Sequence, residues 1–227
     1  MVMKQGIRFS IATKIHGTIK NIRYRFLPLR FLTPGETFYR AGGEDLLFRV
    51  QIPVEELILD FGGYLGEYSK RVRKKCPNPI YVFEPIPEYF SIMTKNLIEL
   101  ENVTLLNFAN GSRERVEIFR ISGPATGAFV AGDEINVQFR SAGWLAQTID
   151  RKIGLIKMNI EGGEYELIPA LKEFGILNHS RILFIQFHNL PNNLYRESQA
   201  ILEETHVRTW KYEWYWERWD LISQPIK

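Results

Sequence analysis

Residues 57 to 66, Leu-Ile-Leu-Asp-Phe-Gly-Gly-Tyr-Leu-Gly, set a carboxylate at Asp60 just ahead of glycines at 62, 63 and 66. An apolar run ending in an acid suits a buried parallel strand, and the glycines would let backbone approach a ligand at the start of the next helix. A second apolar run, Ile80-Tyr81-Val82-Phe83, ends at Glu84, 22 residues after Gly62. That is close to the offset of roughly 20 residues at which a strand-end carboxylate receives ribose hydroxyls. Two acids and a glycine turn predict a nucleoside site.

The turn discriminates among nucleosides. A nicotinamide dinucleotide prefers Gly-x-Gly-x-x-Gly, because its pyrophosphate lies on the turn, and this chain has Gly62-Gly63-Tyr64-Leu65-Gly66 instead. A triphosphate site needs a lysine and a hydroxyl directly after the glycines, where Glu67-Tyr68-Ser69 stands. S-adenosylmethionine has no phosphate. Its ammonium calls for an acid such as Asp60, its carboxylate for turn amides and its ribose for Glu84, so it is the cofactor expected.

Three segments resemble the FkbM-type S-adenosylmethionine-dependent methyltransferases, a class I Rossmann-like family. They are Ile58 to Ser69, Val82-Phe83-Glu84-Pro85, and Ile156-Lys157-Met158-Asn159-Ile160-Glu161-Gly162-Gly163-Glu164, within a resemblance covering about residues 57 to 188. The resemblance implies that Asp60, Gly62, Gly63, Tyr64 and Gly66 line the methionine end of the cofactor and Glu84 its ribose. It also implies that Asn107, Ala109 and Asn110 lie on the adenine side, and that Lys157, Asn159, Glu161 and Glu164 stand beside the methyl group or shape its loop. Many relatives carry Asn where Tyr64 stands and Asp where Asn159 stands. Asn159 cannot take a proton, but it can orient a hydroxyl or the cofactor amine.

The resembled family is often linked to polysaccharide and natural-product pathways, which implies O-methylation of a sugar, glycoconjugate or small hydroxylated metabolite. His188 ends the apolar run Ile185-Gln186-Phe187, and a histidine near neutral pKa there is the expected base for the acceptor hydroxyl. Glu161 and Glu164 also read as first-turn helix acids favoured by the dipole. Lys157, inside an apolar strand, calls for a polar partner. His16, His179, His188 and His206 show no metal-ligand spacing, so no metal is expected.

These residues need a scaffold. Apolar runs predict strands at 57–61, 80–84, 103–107, 154–159 and 181–187, with helices near 66–75, 87–100, 162–173 and 194–204. Their alternation predicts an α/β fold, a mostly parallel Rossmann-like sheet with helices on both faces. Trp210, Tyr212, Trp214 and Trp216 at period two, followed by Trp219, add an antiparallel C-terminal pair. Leu46 to Ile52 is expected as an extra strand, Arg115 to Ile121 as an edge strand, and 123–133 as a mobile loop beside the substrate.

The chain has 227 residues, 45% hydrophobic and 24% charged, with a net charge of +3. It fits one α/β domain at residues 46–227, behind a basic extension at 1–45, and no stretch is apolar enough to span a membrane. Residues 1–30 hold seven Lys or Arg and no acid, leaving 22 basic against 26 acidic residues downstream. Such an arm reads first as a solvated helical extension, with weak contact to an anionic membrane surface as the functional alternative. A single cysteine, Cys76, fits the reducing cytoplasm. The expected partner is a small-molecule or glycan acceptor, with no nucleic acid. Two other readings stand beside this one. A nicotinamide-dependent sugar enzyme shares the sheet but lacks the glycine spacing, and a non-catalytic module of the same fold would use the basic arm and the C-terminal aromatics to bind.

Overall fold

The computed structural model describes residues 32–122, 125–127, 133–190 and 192–222. Most of the basic arm lies outside them. The chain divides at Arg49 and Val50 into two compact units. In the first, helix α1 (Pro34–Arg40) starts with a capping box: Glu36 N donates to Thr33 Oγ1 at 3.2 Å, and Thr33 N donates to Glu36 Oε2 at 2.8 Å. A short helix α2 (Gly43–Leu46) follows. The strand expected over 46–52 does not form. Gly42 turns the chain at φ 70°, Glu44 and Asp45 sit in the first helical turn, and Phe48 N and Arg49 N continue the winding onto Asp45 O and Leu46 O. Local turn geometry overrides the apolar pattern there.

The second unit is built on a seven-stranded sheet. Its members are β1 (Leu57–Phe61), β2 (Ile80–Phe83), β3 (Val103–Leu106), β8 (Ile153–Met158), β9 (Ser180–Gln186), β10 (His206–Lys211) and β11 (Trp216–Leu221). The order is β10-β11-β9-β8-β1-β2-β3, with β9 through β3 parallel and β11 antiparallel to both β9 and β10. Every residue of β1 and β8 is buried, as expected for central parallel strands covered on both faces.

Helices α3 (Glu67–Arg73) and α4 (Pro87–Leu97) cross between the early strands, and α5 (Ala142–Thr148), α6 (Glu164–Glu173) and α7 (Leu194–Glu203) between the later ones. Leu57, Leu59 and Phe61 pack into one core with Leu167 and Leu171 of α6 and Leu202 of α7. Ile58 alternates to the opposite face and is equally buried. Pro87 opens α4, where its missing amide costs no hydrogen bond.

Between β3 and β8 the chain makes a second, four-stranded sheet. Strands β4 (Ala109–Gly111), β5 (Arg115–Ser122), β6 (Ala125–Gly127) and β7 (Asp133–Ser141) lie in the order β4-β7-β5-β6. The segment read as an edge strand is thus an interior strand, paired antiparallel to β7 and β6. Of the expected mobile loop, 125–127 form β6, and 123–124 and 128–132 lie outside the described residues.

Candidate functional site

The carboxyl ends of β8, β1, β2 and β3 are consecutive neighbours in the sheet. A ligand lying across them follows the row of polar groups that end these strands. The glycine turn after β1 is shaped by what packs on it. A Cβ at Gly62, whose φ is 83°, would sit 2.0 Å from Asn159 O. One at Gly63 would meet Val82 and Met93 at 2.4 and 2.6 Å, and one at Gly66 would meet Leu97 at 2.9 Å. Glycine is required because the β8 loop and helix α4 both press on the turn.

Four of the turn amides are already committed. Gly62 N and Gly63 N donate to Phe83 O at 3.0 and 2.9 Å, Gly66 N to Gly63 O at 2.8 Å, and Tyr64 N to Glu84 Oε2 at 2.7 Å. The expectation that these amides hold a ligand carboxylate is corrected accordingly. The turn contributes shape, and these four donors serve the protein.

Asp60 also departs from expectation. It is 0% exposed; Oδ1 accepts from Lys157 Nζ at 2.8 Å and Oδ2 from the Ser69 hydroxyl at 2.6 Å. A carboxylate enclosed in this way, with no surface exposed, does not face a ligand ammonium. Lys157, 4% exposed, also donates to Gly62 O at 2.8 Å and lies 5.5 Å above the Tyr68 ring. Its expected place beside a methyl group is therefore corrected: it is a buried strut between β8, β1 and the glycine turn. Ser69 completes this cluster. The only sequence signal for Ser69 was its place in the first quoted motif.

Asn159, by contrast, brings an acceptor to the site. Its amide donates to Phe61 O at 3.1 Å, while its side-chain Oδ1 is buried without a hydrogen-bond partner. Buried unpaired acceptors are costly, of order 1–3 kcal/mol, and mark places where a ligand donor fits.

At the end of β2, Glu84 Oε1 accepts from Ile86 N at 2.9 Å and Oε2 from Tyr64 N. Burial pushes its carboxyl up to about 7, against these amide hydrogen bonds, which favour the charge. Each oxygen keeps lone pairs for a further donor. Asn107 Nδ2 donates to Glu84 O at 2.8 Å and fixes the neighbouring strand end. Beyond it, Ala109 packs into a small core with Ile86, Val137 and Phe139, and Asn110, 6% exposed, has both Oδ1 and Nδ2 buried and unpartnered.

On the other flank, Glu161 and Gly162 turn the loop after β8 at φ 53° and 100°. Glu164, fully buried at the start of α6, clamps this loop. Its Oε2 accepts from Gly162 N at 2.9 Å, and its Oε1 accepts from His188 N at 2.7 Å and lies 2.9 Å from His188 Nδ1. Glu161 Oε2 lies 3.4 Å from His188 Nε2. Burial alone would lower the imidazole pKa, but the two carboxylates overcome it and hold His188 at about 10. His188 is an imidazolium at neutral pH. The expectation of a neutral histidine base is corrected, because both ring nitrogens face carboxylates.

This has a pH consequence. A pKa raised from 6.5 to about 10 in the folded state stabilises fully below pH 6.5, and the contribution declines as pH rises toward 10. The stability difference between wild type and His188→Gln should therefore shrink from pH 6 to pH 10, by up to about 1.4 kcal/mol per pH unit in that window. Urea melts of both proteins at pH 6, 8 and 10 check this; a difference independent of pH contradicts the double ion pair.

No helix among the described residues is long and apolar enough to cross a membrane. No family model and no curated protein matches the chain. Among solved structures it is similar to a proposed rRNA-methylase from Clostridium thermocellum, at 11% identity and a TM-score of 0.51, covering 82% of this chain and 96% of that one. An rRNA methylase from Streptococcus thermophilus aligns at 12% identity and TM-score 0.49, covering 85% and 99%. A proposed methyltransferase from Streptococcus mutans in complex with SAH aligns at 10% identity and TM-score 0.48, covering 80% and 97%. At such identities the likeness is one of fold, and that fold is the Rossmann-like one of class I methyltransferases. One expectation is overturned here. The first of these neighbours, at a TM-score of 0.51, is named for action on rRNA, so the exclusion of nucleic acid as a partner is withdrawn.

Proposed function

We propose that the protein is an S-adenosylmethionine-dependent methyltransferase of the FkbM type, acting on a hydroxyl of a sugar, a glycoconjugate or a small hydroxylated metabolite. One observation carries the reading: a row of unsatisfied or near-neutral polar groups, Asn159 Oδ1 just after β8, the Glu84 carboxyl just after β2 and the Asn110 amide in β4. Three strand spacings of about 4.8 Å separate β8 from β3, or about 14 Å, a span that suits an adenosine bearing an amino-acid tail.

When bound, the cofactor supplies an electrophilic sulfonium methyl group. In this reading Asn159 Oδ1 accepts from its ammonium, Glu84 from its ribose hydroxyls, and the Asn110 amide meets the adenine edge, with Asn107 and Ala109 setting that wall. Lys157, Asp60 and Ser69 hold the glycine turn in shape. Glu161, whose side chain is 46% exposed, is the group that takes the acceptor hydroxyl's proton, at Oε1. His188 is a positioning residue: its imidazolium orients Glu161 while Glu164 fixes the ring.

The methyltransferase domain in this reading runs from residue 46 to 227, and a cytoplasmic location accompanies it. Ribose hydroxyls of RNA belong to the same acceptor chemistry and enter the test. Tritiated methyl transfer from S-adenosylmethionine should label a fraction of hydroxylated metabolites, glycans or RNA. Glu161→Gln should lower the rate by about 10²- to 10⁴-fold, the contribution of a placed base, while retaining affinity for S-adenosylhomocysteine. An unchanged rate removes Glu161 from the chemistry, and label confined to protein or amine acceptors contradicts the hydroxyl assignment.

A further inference from the structure

The C-terminal aromatic residues from Tyr212 onward fall into two groups. Trp216 and Trp219 are 6% and 0% exposed and belong to the buried core. Tyr212, Trp214 and Tyr215 are only half-buried and occupy the turn between β10 and β11. Core packing accounts for the first group, and Trp214 lies partly buried against the same core.

That turn stands at the functional edge of the sheet. Tyr215 N donates to Tyr212 O at 2.9 Å and Tyr212 N to Trp216 O at 2.8 Å, closing it, and Phe187 N donates to Tyr215 O at 2.8 Å. Strand β11 runs antiparallel to β9 with Trp216 opposite Gln186. The turn is thus tied to the residue beside His188.

Trp214 has φ 56°, a left-handed backbone that bulky residues rarely adopt. Such a conformation costs of order 1–3 kcal/mol, and a glycine would relieve it. The Trp214 ring is held over Tyr195, centroids 4.4 Å apart, and Tyr195 in turn packs on Phe187 at 5.0 Å. Tyr64 and Glu161, at φ 50° and 53°, are strained in the same way after β1 and β8. Backbone strain held in place by packing gathers at functional sites, and here three such residues follow strands that end at one edge.

The geometry points to Trp214 as the stacking platform of an acceptor subsite that takes a neutral pyranose ring. This rests on the methyl-transfer reading and names its substrate class. The apolar face of a sugar ring covers an indole, while its hydroxyls donate to carboxylate oxygens. Glu161 supplies such oxygens at this edge, and Glu213, exposed in the turn itself, supplies more. A phosphodiester chain would meet the exposed Glu213 carboxylate at a cost in charge repulsion, so a neutral ring is the favoured occupant.

Saturation-transfer NMR on the full chain with S-adenosylhomocysteine, using methyl α-pyranosides and a short RNA as probes, tests this. Wild type should saturate the ring protons of at least one pyranoside. Trp214→Gly, which relieves the backbone while removing the ring, should weaken that binding at least tenfold, and Trp214→Phe should retain it. Calorimetry with S-adenosylhomocysteine and a thermal melt of each variant establish that the fold and the cofactor site persist. Equal pyranoside binding by Trp214→Gly, saturation of the RNA alone, or no pyranoside signal from wild type with its cofactor product bound would each overturn the subsite. Failure of wild type to bind S-adenosylhomocysteine would instead overturn the underlying reading.

Discussion

Gly62→Ala should abolish measurable binding of S-adenosylhomocysteine, with a loss of at least about 100-fold, or about 2.7 kcal/mol. The obstacle is backbone. The new methyl would lie 2.0 Å from Asn159 O at a φ of 83°, so either the turn or the β8 loop must move, and the move displaces Asn159 Oδ1 from its place in the row. The left-handed backbone adds about 1–2 kcal/mol of strain for any residue with a Cβ. Gly66→Ala, at a similar φ of 86°, meets only the Leu97 side chain at 2.9 Å. Leu97 can turn aside, so that variant should lose less stability and less affinity. Calorimetry and thermal melts of the two variants check the order. Equal affinity for Gly62→Ala and wild type would detach the turn from the ligand.

Lys157→Met should lower stability by about 3–5 kcal/mol, because removing one partner of a buried ion pair leaves the other charge uncompensated. Asp60 is 0% exposed and would keep only the Ser69 hydroxyl at 2.6 Å, while Gly62 O would lose its Nζ donor. At roughly 2–4 °C per kcal/mol for a domain of this size, the melting temperature should fall by about 6–20 °C. Adding Asp60→Asn removes the stranded charge and should restore more than half of the loss. Chemical melts of the two single variants and the double variant measure the coupling; additive losses would show that the two residues act independently.

Much of the scaffold was legible because its signals are local. Leu57 to Phe61 and Ile153 to Met158 announce themselves as continuous apolar runs, and Pro87 marks the start of its helix within one residue of the expected position. The Asp60–Lys157 pair was not legible in the same way. These residues are 97 apart in sequence and meet only because β1 pairs with β8 in a register that sets them side by side. Strand order is a tertiary outcome, and no local pattern carries it.

The charge of His188 failed for the same reason. The residue type suggests a neutral base, whereas its protonation follows from Glu161 and Glu164, carried to it on a different strand-to-helix loop. Glu164 read as a dipole-favoured helix acid and proved to be a buried clamp as well. At Leu46 to Ile52 the local signal itself misled, because alternating apolar residues were overridden by Gly42 and two acids that begin a helix.

The most direct test is calorimetric titration of the wild-type chain with S-adenosylhomocysteine, S-adenosylmethionine and NAD. The row formed by Asn159, Glu84 and Asn110 predicts one-to-one binding of both sulfur nucleosides and no measurable heat with NAD. Binding of NAD alone, or silence with both sulfur nucleosides, would contradict the account at its root.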